Sequence, residues 1–368
     1  MFYDYSNKDI SDSKLKTAII GCGGIAGWKH MPNIEKLSNV EMTAFCDLII
    51  EKAEEAAKKH GTEDAKVYSD YKELLKDESI DVVHVCTPNA THAEISIAAL
   101  NAGKHVMCEK PMTIKYTEAV DMCEAAKRSG KLLTIGYQSR SSANSQYMRE
   151  LVRQDVLGEI YYMKCGAMRR RGVPGWGVFI DKEQQGGGPL IDIATHSIDN
   201  TLFITGNYDV DYVVGNAYLK LAKTSYLPND MGLYDPEKIT TEDSAFGFVR
   251  FKNGATMVVE SSWAINMTEM HPTTLCGTKA GATLGKVLGL NGDLHGSLYK
   301  AEIETNPRMR WLFKDENLTV EEYDQKQWYS AILNGTELLV KPEEAAVVTR
   351  IIEAIYTSSE TGKPVFFD

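Results

Sequence analysis

Short apolar runs alternate with helical patterns in the first part of the chain. The runs lie at residues 17–20, 42–46, 81–86, 105–108 and 132–135, and the helical patterns lie at 25–37, 51–60, 91–102 and 117–129. Continuous apolar runs joined by helices are typical of a parallel sheet that is covered on both faces. The pattern predicts an α/β domain over residues 15–137, and Pro32 is expected to distort or shorten its first helix.

The pattern changes after Tyr137, where longer strand-like runs dominate. They lie at 159–168, 212–221, 244–251, 256–264 and 273–277, and Asn253-Gly254 is a strong hairpin signal between two of them. An irregular loop is expected at 224–241 and a long amphipathic helix near 342–360. We expect a second α/β domain over residues 138–368, with a large, mostly antiparallel open sheet, and an N-terminal tail over residues 1–14.

Composition narrows the class of protein. The chain has 368 residues, 43% hydrophobic and 25% charged, which is enough for two domains with separate cores. No run of about 18 apolar residues exists, and the N-terminus lacks the features of a secretory signal, so a cytoplasmic protein without membrane contact is expected. The seven singly placed cysteines favour reduced thiols over disulfides or a metal site. The net charge of −11 argues against nucleic acid as a partner.

A glycine-rich turn follows the first apolar run. The segment Gly21-Cys22-Gly23-Gly24-Ile25-Ala26 has the G-x-G-x-x-A form of a dinucleotide-binding fingerprint. Gly21 permits the tight turn, Gly23 lets the backbone approach a pyrophosphate, and Ala26 lets the helix pack near the strand. The phosphates would meet the positive end of this helix, where Gly24 and Ile25 are further expected contacts.

An acidic residue follows the second apolar run. Asp47 lies 21 residues after Ala26, where an acid is expected to accept the adenosine ribose hydroxyls of a dinucleotide. The next three residues are apolar, without an Arg or Lys for a 2′-phosphate, so NAD is favoured over NADP. The alternative is that Asp47 caps the helix that starts near Glu51.

Two more loops are expected at the same edge of the sheet. Thr87-Pro88-Asn89 follows the third run, and Glu109-Lys110-Pro111 follows the fourth. Because the carboxyl ends of parallel strands line the ligand crevice, Thr87, Pro88 and Asn89 are interpreted as cofactor contacts rather than as turn residues. For His92 a cofactor contact and a capping role stay equally open.

A later segment combines glycines with a polar pair. Gly186-Gly187-Gly188-Pro189 leads into an apolar helical stretch in which Asp192 and His196 lie four residues apart, so both would project from one face. A carboxylate beside an imidazole can orient and tune a proton acceptor near neutral pH. The pair is either catalytic or structural, and the upstream cofactor motif favours the catalytic interpretation.

In this order, the motifs resemble those of the Gfo/Idh/MocA family of sugar and cyclitol oxidoreductases. The resemblance extends from about Leu15 to Val365. It implies an N-terminal Rossmann domain that binds NAD and a C-terminal α/β domain with a large open sheet. With it, Glu109 and Gln138 are predicted to contact the cofactor.

The resemblance also implies the roles of three residues. Lys110 would contact the nicotinamide ribose and the substrate oxygen, and His196 would be the general acid/base. Oxidation of a secondary alcohol removes the O–H proton as the hydride leaves, so a neutral His196 can accept that proton and a cationic Lys110 can stabilise the alkoxide. Asp192 would orient His196 or bind a second hydroxyl.

Further substrate contacts are predicted on two segments. Arg140 belongs to a run, Gly136–Arg140, that departs from the family form after this residue. Arg169 and Trp176 flank a Gly/Pro-rich turn; Trp stacks on the apolar face of a sugar ring, and Arg donates to its hydroxyls. A basic loop at a subunit interface, or a site for a phosphate or carboxylate on the substrate, are the alternatives.

With these features, the resemblance implies an NAD-dependent dehydrogenase that oxidises a ring secondary hydroxyl of a hexose or glycoside, with C3 of a glucoside favoured. The alternatives are an inositol dehydrogenase, glycoside cleavage through transient oxidation and elimination, and a dinucleotide-binding sensor without activity. The open sheet face of the second domain must be covered, so a homo-oligomer is expected, whether dimer, tetramer or hexamer.

Overall fold

The computed structural model of the protein describes residues 14–224, 228–270, 272–305 and 318–367. The predicted N-terminal tail lies outside these ranges, except for Lys14. The described residues form two compact units. The first contains those up to Ser141 and those from 318 to Ala346, and the second contains the remainder. Among the described helices, none is long and apolar enough to cross a membrane.

The described part of the first unit contains a parallel sheet of six strands in the order β3-β2-β1-β4-β5-β6. The strands are β1 Leu15–Ile20, β2 Val40–Cys46, β3 Lys66–Tyr68, β4 Val82–Val85, β5 His105–Cys108 and β6 Leu133–Ile135. The predicted Rossmann-type α/β fold is thus confirmed. Only β3 is absent from the sequence prediction, because it is three residues long and Lys66 is exposed, so no apolar run marks it.

Helices flank this sheet and bury their apolar faces. They are Met31–Ile34, Ile50–His60, Tyr71–Leu74, His92–Asn101, Tyr116–Ser129 and Val320–Asn334. Ile19 and Phe45 from the strands pack with Ile34, Ala53 and Trp328 from the helices in one buried cluster. Burying a large apolar side chain of this kind stabilises the fold by about 1.5–3 kcal/mol. The strand ends, and the loops that follow them, are held in place by this core.

The first helix differs from a regular α-helix, as Pro32 led us to expect. Helical structure is continuous from Gly24 to Ile34 and includes a π-helical turn at Ala26–His30. Proline has no N–H and cannot donate to the preceding turn, so an irregular helical register before it is favoured.

The described part of the second unit contains a sheet of nine strands in the order β14-β13-β12-β11-β7-β10-β9-β8-β15. The pair β7–β10 is parallel and the other neighbours are antiparallel, which confirms the predicted open sheet. The strands are β7 Ile160–Met168, β8 Val210–Tyr218, β9 Ser244–Phe251, β10 Thr256–Ser262, β11 Thr273–Gly277, β12 Ala280–Leu284, β13 Leu288–Leu294, β14 Ser297–Ile303 and β15 Val365–Phe366.

Helices cover one face of this sheet. They are Ala143–Arg153, Lys182–Gln185, Thr195–Thr205 and Pro342–Thr361, the last of which belongs to this unit from Val347 onwards. Cβ atoms at Gly215 and Gly247 would lie 2.8 Å and 2.6 Å from Ile355, so these glycines allow the long helix to approach the sheet closely. The described residues of the 224–241 insertion contain neither helix nor strand, as expected.

Candidate active site

The turn after β1 leaves space for the close approach of another group. Gly21 has a φ of +91°, and a Cβ atom there would lie 2.6 Å from the carbonyl oxygen of Cys86. Glycine is required because other L-residues rarely adopt this conformation and the chain after β4 leaves no room. At Gly23 and Gly24 a Cβ would meet nothing within 4 Å, so this side of the turn is open at the start of the helix.

Asp47, directly after β2, is held by two backbone N–H groups. Its Oδ2 accepts from the N–H of Cys22 at 2.9 Å, and its Oδ1 accepts from that of Ile49 at 2.9 Å. The next helix has Ile49 as its N-cap, so Asp47 links the glycine turn to the end of β2 instead of being the N-cap residue. Leu48 and Ile49 are 93% and 50% exposed and form an apolar surface beside the carboxylate.

The side chain of His92 links the two predicted loops that follow β4 and β5. Its side chain is fully buried, with Nδ1 at 2.7 Å from the carbonyl oxygen of Pro111 and Nε2 at 2.9 Å from that of Thr87. Burial lowers the pKa of the His92 imidazole. This position fits a loop-linking role better than the cofactor contact considered for it. Thr87 is half-buried, Pro88 is exposed and Asn89 is buried.

Glu109 is more deeply buried than the neighbouring Lys110. Lys110 is half-buried, whereas Glu109 is 4% exposed and accepts from the backbone N–H of Lys110 at 3.1 Å. The other Glu109 oxygen lies 2.6 Å from Nζ of Lys29 and 2.7 Å from Nε2 of His30. Burial acts to raise the pKa of Glu109, but Lys29 and His30 hold this pKa well below its ordinary value. Gln138 is half-buried and accepts from Lys29 at 3.3 Å.

Arg140 lies in the interior of the first unit. Its side chain is fully buried, donates to the carbonyl oxygen of Leu339 at 3.0 Å and forms an ion pair with Glu344. Arg140 therefore fits a structural role, holding the 339–344 segment, better than the substrate contact expected for it.

In the second unit, Asp192 and His196 lie on a helix that runs from Pro189 to Thr205. Its first part is a π-helical turn, Leu190–Ala194, rather than the regular α-helix that the prediction assumed. Turns of this kind shift the helical register and are frequent at functional sites. Asp192 and His196 are both half-buried, while Ala194 and Thr195 are buried.

Glu242 holds the start of this helix in place. Its carboxylate accepts from the N–H groups of Gly188 at 2.7 Å and Leu190 at 3.2 Å, and from the hydroxyl of Tyr356 at 2.8 Å. Cβ atoms at Gly187 and Gly188 would lie 2.0 Å from the Tyr356 oxygen and 2.1 Å from the Glu242 carbonyl oxygen. The consecutive glycines thus let Glu242 and Tyr356 approach the helix N-terminus.

The predicted sugar-binding turn is also anchored by residues from elsewhere in its unit. Asn229 accepts from the N–H of Val173 at 2.8 Å and donates to its carbonyl oxygen at 2.7 Å. Arg169 donates to the carbonyl oxygen of Gly172 at 3.2 Å, which folds it back on its own turn. Trp176 is 51% exposed and therefore available to a ligand.

Sequence reasoning missed Lys29, Glu242, Tyr356 and Asn229. Lys29 could have been noticed as the first charged residue of the helical stretch 25–37, and Glu242 as one of two consecutive acids just before a strand. Tyr356 and Asn229 carry no local signal, because their partners lie far away in the sequence.

Comparison with known proteins identifies the family. Residues 15–137 match the model of an oxidoreductase family with an NAD-binding Rossmann fold, and residues 149–367 match that family's C-terminal alpha/beta domain. The chain belongs to the Gfo/Idh/MocA oxidoreductase family. The resemblance seen in the motifs is confirmed, and so is NAD as the cofactor of the first domain.

Individual relatives include sugar and cyclitol dehydrogenases. D-glucoside 3-dehydrogenase of Escherichia coli (strain K12) is 35% identical over 361 residues, 97% of this chain and 98% of that protein. Myo-inositol 2-dehydrogenase of Thermotoga maritima is 28% identical over 250 residues, 67% of this chain and 68% of that protein. The solved structure of levoglucosan dehydrogenase in complex with NADH shares the fold, with a TM-score of 0.81 and 21% identity, covering 97% of this chain and 100% of that one.

The described residues of the first unit fit NAD. The open glycine turn would receive the pyrophosphate at the helix start, and Asp47 with its apolar neighbours would receive the adenosine. Thr87, Pro88 and Lys110 follow the strands at whose ends the ligand lies in such sheets.

Proposed function

We propose that this member of the Gfo/Idh/MocA family oxidises a ring secondary hydroxyl of a hexose or glycoside, with C3 of a glucoside favoured. The observation that carries the proposal is the 35% identity to D-glucoside 3-dehydrogenase over 97% of this chain. A free inositol is the second candidate substrate, supported by the similarity to myo-inositol 2-dehydrogenase.

The reaction needs a hydride acceptor and a proton acceptor. NAD, held by the glycine turn and Asp47, would supply the hydride acceptor when bound. His196 takes the hydroxyl proton, because a neutral imidazole accepts a proton at pH 7. Lys110 stabilises the negative charge that develops on the substrate oxygen. Asp192 orients His196 or accepts a hydrogen bond from a second hydroxyl. Half-burial of all three residues supports these roles, since each keeps part of its surface exposed.

The substrate class is tested with a panel of alkyl glucosides, free hexoses and inositols. The purified protein is incubated with NAD and each compound, and both NADH absorbance and product mass are followed. We expect a glucoside to give NADH and a product two hydrogens lighter. Cleavage of the glycoside without NADH would favour transient oxidation with elimination. Recovery of every compound unchanged, with no NADH formed, would contradict the proposal.

We further propose that the protein acts in the cytoplasm. None of its seven cysteines, all within the described ranges, forms a disulfide, and five of them are buried. Unpaired buried thiols are typical of a reducing compartment.

We also propose that the protein is a homo-oligomer assembled through the outer face of the nine-stranded sheet, which we call the aromatic face. Tyr212, Phe248 and Phe366 form one aromatic group on it, with ring centroids 5.6–6.2 Å apart, and Phe248 and Phe366 are 39% and 63% exposed. Lys164 of β7 and Glu260 of β10 form an ion pair of 2.9 Å in the same sheet. Aromatic side chains with a few satisfied charges are typical of the interface with a second copy.

A further inference from the structure

A buried polar cluster lies behind the loop that carries Lys110. All of its members have at most 6% of their surface exposed, and they come from the first helix, β4, the end of β5 and the Val320–Asn334 helix. The members of this buried cluster are Lys29, His30, His84, Glu109, Asp324, Gln325 and Tyr329.

Hydrogen bonds connect the cluster into one network. His30 and His84 meet through their Nδ1 atoms at 2.9 Å, and Nε2 of His84 lies 2.9 Å from the hydroxyl of Tyr329. That hydroxyl in turn lies 2.9 Å from Oγ1 of Thr17 on β1. Because one histidine nitrogen faces another, one of the two must donate its proton and the other must accept it. His30 is thereby held against Glu109, 2.7 Å from its carboxylate.

Lys29 is the cation of this cluster. Its Nζ donates to Glu109 at 2.6 Å, to Gln138 at 3.3 Å and to the carbonyl oxygen of Gly136 at 3.5 Å, and it lies 4.0 Å from Asp324. A Cβ atom at Gly136 would come within 3.1 Å of this Nζ, so glycine is needed for the approach. Lys29 therefore contacts the segments after both β5 and β6, from the side away from solvent.

Stability alone is a weak reason for such an arrangement. Removing an ammonium and a carboxylate from water costs several kcal/mol per ion, and apolar replacements of buried ion pairs are often neutral or stabilising. The ion pair of Lys29 and Glu109 does, however, hold a segment of main chain in place, because Glu109 accepts from the backbone N–H of Lys110. We expect this segment to require an accurate position. A misplacement of about 1 Å can lower a rate by about 100-fold.

We propose that Lys29 is a positioning residue for hydride transfer: its buried ammonium fixes Glu109 and Gln138 and, through Glu109, the main chain of Lys110. The inference rests on the proposed function only for its kinetic consequence, because the contact between Glu109 and the Lys110 N–H is observable in the protein without substrate.

Removal of the Lys29 charge changes the protonation of Glu109. In the wild type, Glu109 stays ionised because the opposing charge outweighs its burial. Without that charge, burial raises the pKa of Glu109, as in buried carboxyls whose pKa reaches about 8–9. In a variant without the Lys29 charge, Glu109 is therefore protonated below its raised pKa and ionised above it. The ionisable groups that face Glu109, besides Lys29, are His30, His84, Cys86, His92, Cys108, Lys110 and Asp324.

The structural test follows the Lys110 amide by NMR. Protein labelled with ¹⁵N-lysine, without NAD or substrate, is titrated between about pH 5 and pH 9, the range that a raised carboxyl pKa would cover. The amide of Lys110, assigned with Lys110→Arg, should stay constant in the wild type and titrate in Lys29→Met. The titration should vanish in Lys29→Met/Glu109→Gln and persist in Lys29→Met/Asp324→Asn, which identifies Glu109 as the titrating group.

The kinetic test uses the best substrate of the panel. Lys29→Met should lower kcat by about 10- to 100-fold at pH 7, with a partial recovery as the pH rises and Glu109 ionises. The matched control is Lys104→Met. Lys104 is also buried, at 4% exposure, and donates to the carbonyl oxygen of Asp77 at 2.8 Å, but it precedes the opposite end of β5. This control should keep the wild-type pH profile of kcat.

The outcomes separate the two proposals. A wild type that oxidises nothing in the panel contradicts the proposed function, while the NMR titration still tests Lys29. An active wild type, combined with a constant Lys110 amide and an unchanged kcat in Lys29→Met, overturns the inference. If Lys29→Met does not fold, Lys29→Gln removes the same charge while keeping a hydrogen-bond donor, and the same results decide.

Discussion

At the scale of single residues, the candidate site residues fall into partly exposed groups and buried groups. Asp192 and His196 are half-buried and belong to the first kind, whereas Glu109 and His92 are buried and belong to the second. Substitutions of the two kinds should therefore have different signatures: loss of chemistry or binding in one case, and loss of positioning in the other.

His196→Ala should remove the proton acceptor. We expect kcat to fall by about 10²-fold, the scale of lost general acid–base catalysis, with the dissociation constant of NAD nearly unchanged. Steady-state kinetics and NAD titration measure the two effects. Ser197→Ala is the control, because Ser197 is the next residue on the helix and bonds the carbonyl oxygen of Gly166 at 3.0 Å. An unchanged kcat in His196→Ala would contradict the role of His196 as the proton acceptor.

Asp47→Ala should weaken NAD binding by about 10-fold or more, because hydrogen bonds to a charged group contribute about 1.5–3 kcal/mol. Calorimetric titration with NAD measures the change. Asp81→Ala is the control: its carboxylate accepts from a backbone N–H, that of Lys16 at 2.9 Å, near the other end of β1. Equal affinities of Asp47→Ala and the wild type would contradict the ribose assignment.

At the scale of elements, the start of the Pro189–Thr205 helix depends on a carboxylate from a distant part of the second unit. The last residues before β9 bring Glu242 to the helix N-terminus, where it accepts two backbone N–H groups. A negative charge is favourable at this end of a helix. The position of His196 is thereby linked to residues that touch no substrate.

Glu242→Gln should disturb this helix start, because an amide cannot accept from all the donors that meet the carboxylate. We expect a loss of about 1–3 kcal/mol in the free energy of unfolding and a lower kcat, with NAD affinity preserved. Tyr356→Phe, which removes one of the donors, should have a smaller effect on both. Denaturation and kinetics together check this; unchanged stability and kcat in Glu242→Gln would refute it.

The same element scale explains what could be predicted from the sequence. Strands such as His105–Cys108 and the hairpin at Asn253-Gly254 are marked by apolar runs and turn residues, and they were predicted. Strands β12 to β14 were not, because glycines and polar residues interrupt their apolar alternation, as Gly292 and Asp293 do in β13. Motifs also indicated the candidate site residues, whereas the contacts of Lys29 and Glu242 depend on the tertiary fold.

At the scale of the whole molecule, the aromatic face gives a prediction about assembly. Phe248→Glu places a charge among aromatic rings and should lower the oligomeric mass without unfolding the subunit. Light scattering after size-exclusion chromatography measures the mass. Val120→Glu is the control, because Val120 is 38% exposed, close to the 39% of Phe248, but lies on a helix of the first unit. A wild type that is monomeric would contradict the proposed assembly.

The family assignment joins these scales, because it connects an NAD-binding domain with a C-terminal domain that carries the proposed proton acceptor, His196. The central claim is that a hydride passes from a ring carbon of the substrate to NAD. An alkyl glucoside deuterated at C3 tests this most directly, with both the cofactor and the sugar recovered and weighed by mass spectrometry. We predict NADH that carries the deuterium together with a 3-keto product. Recovery of the glucoside and NAD unchanged, or of NADH without deuterium, would contradict the account.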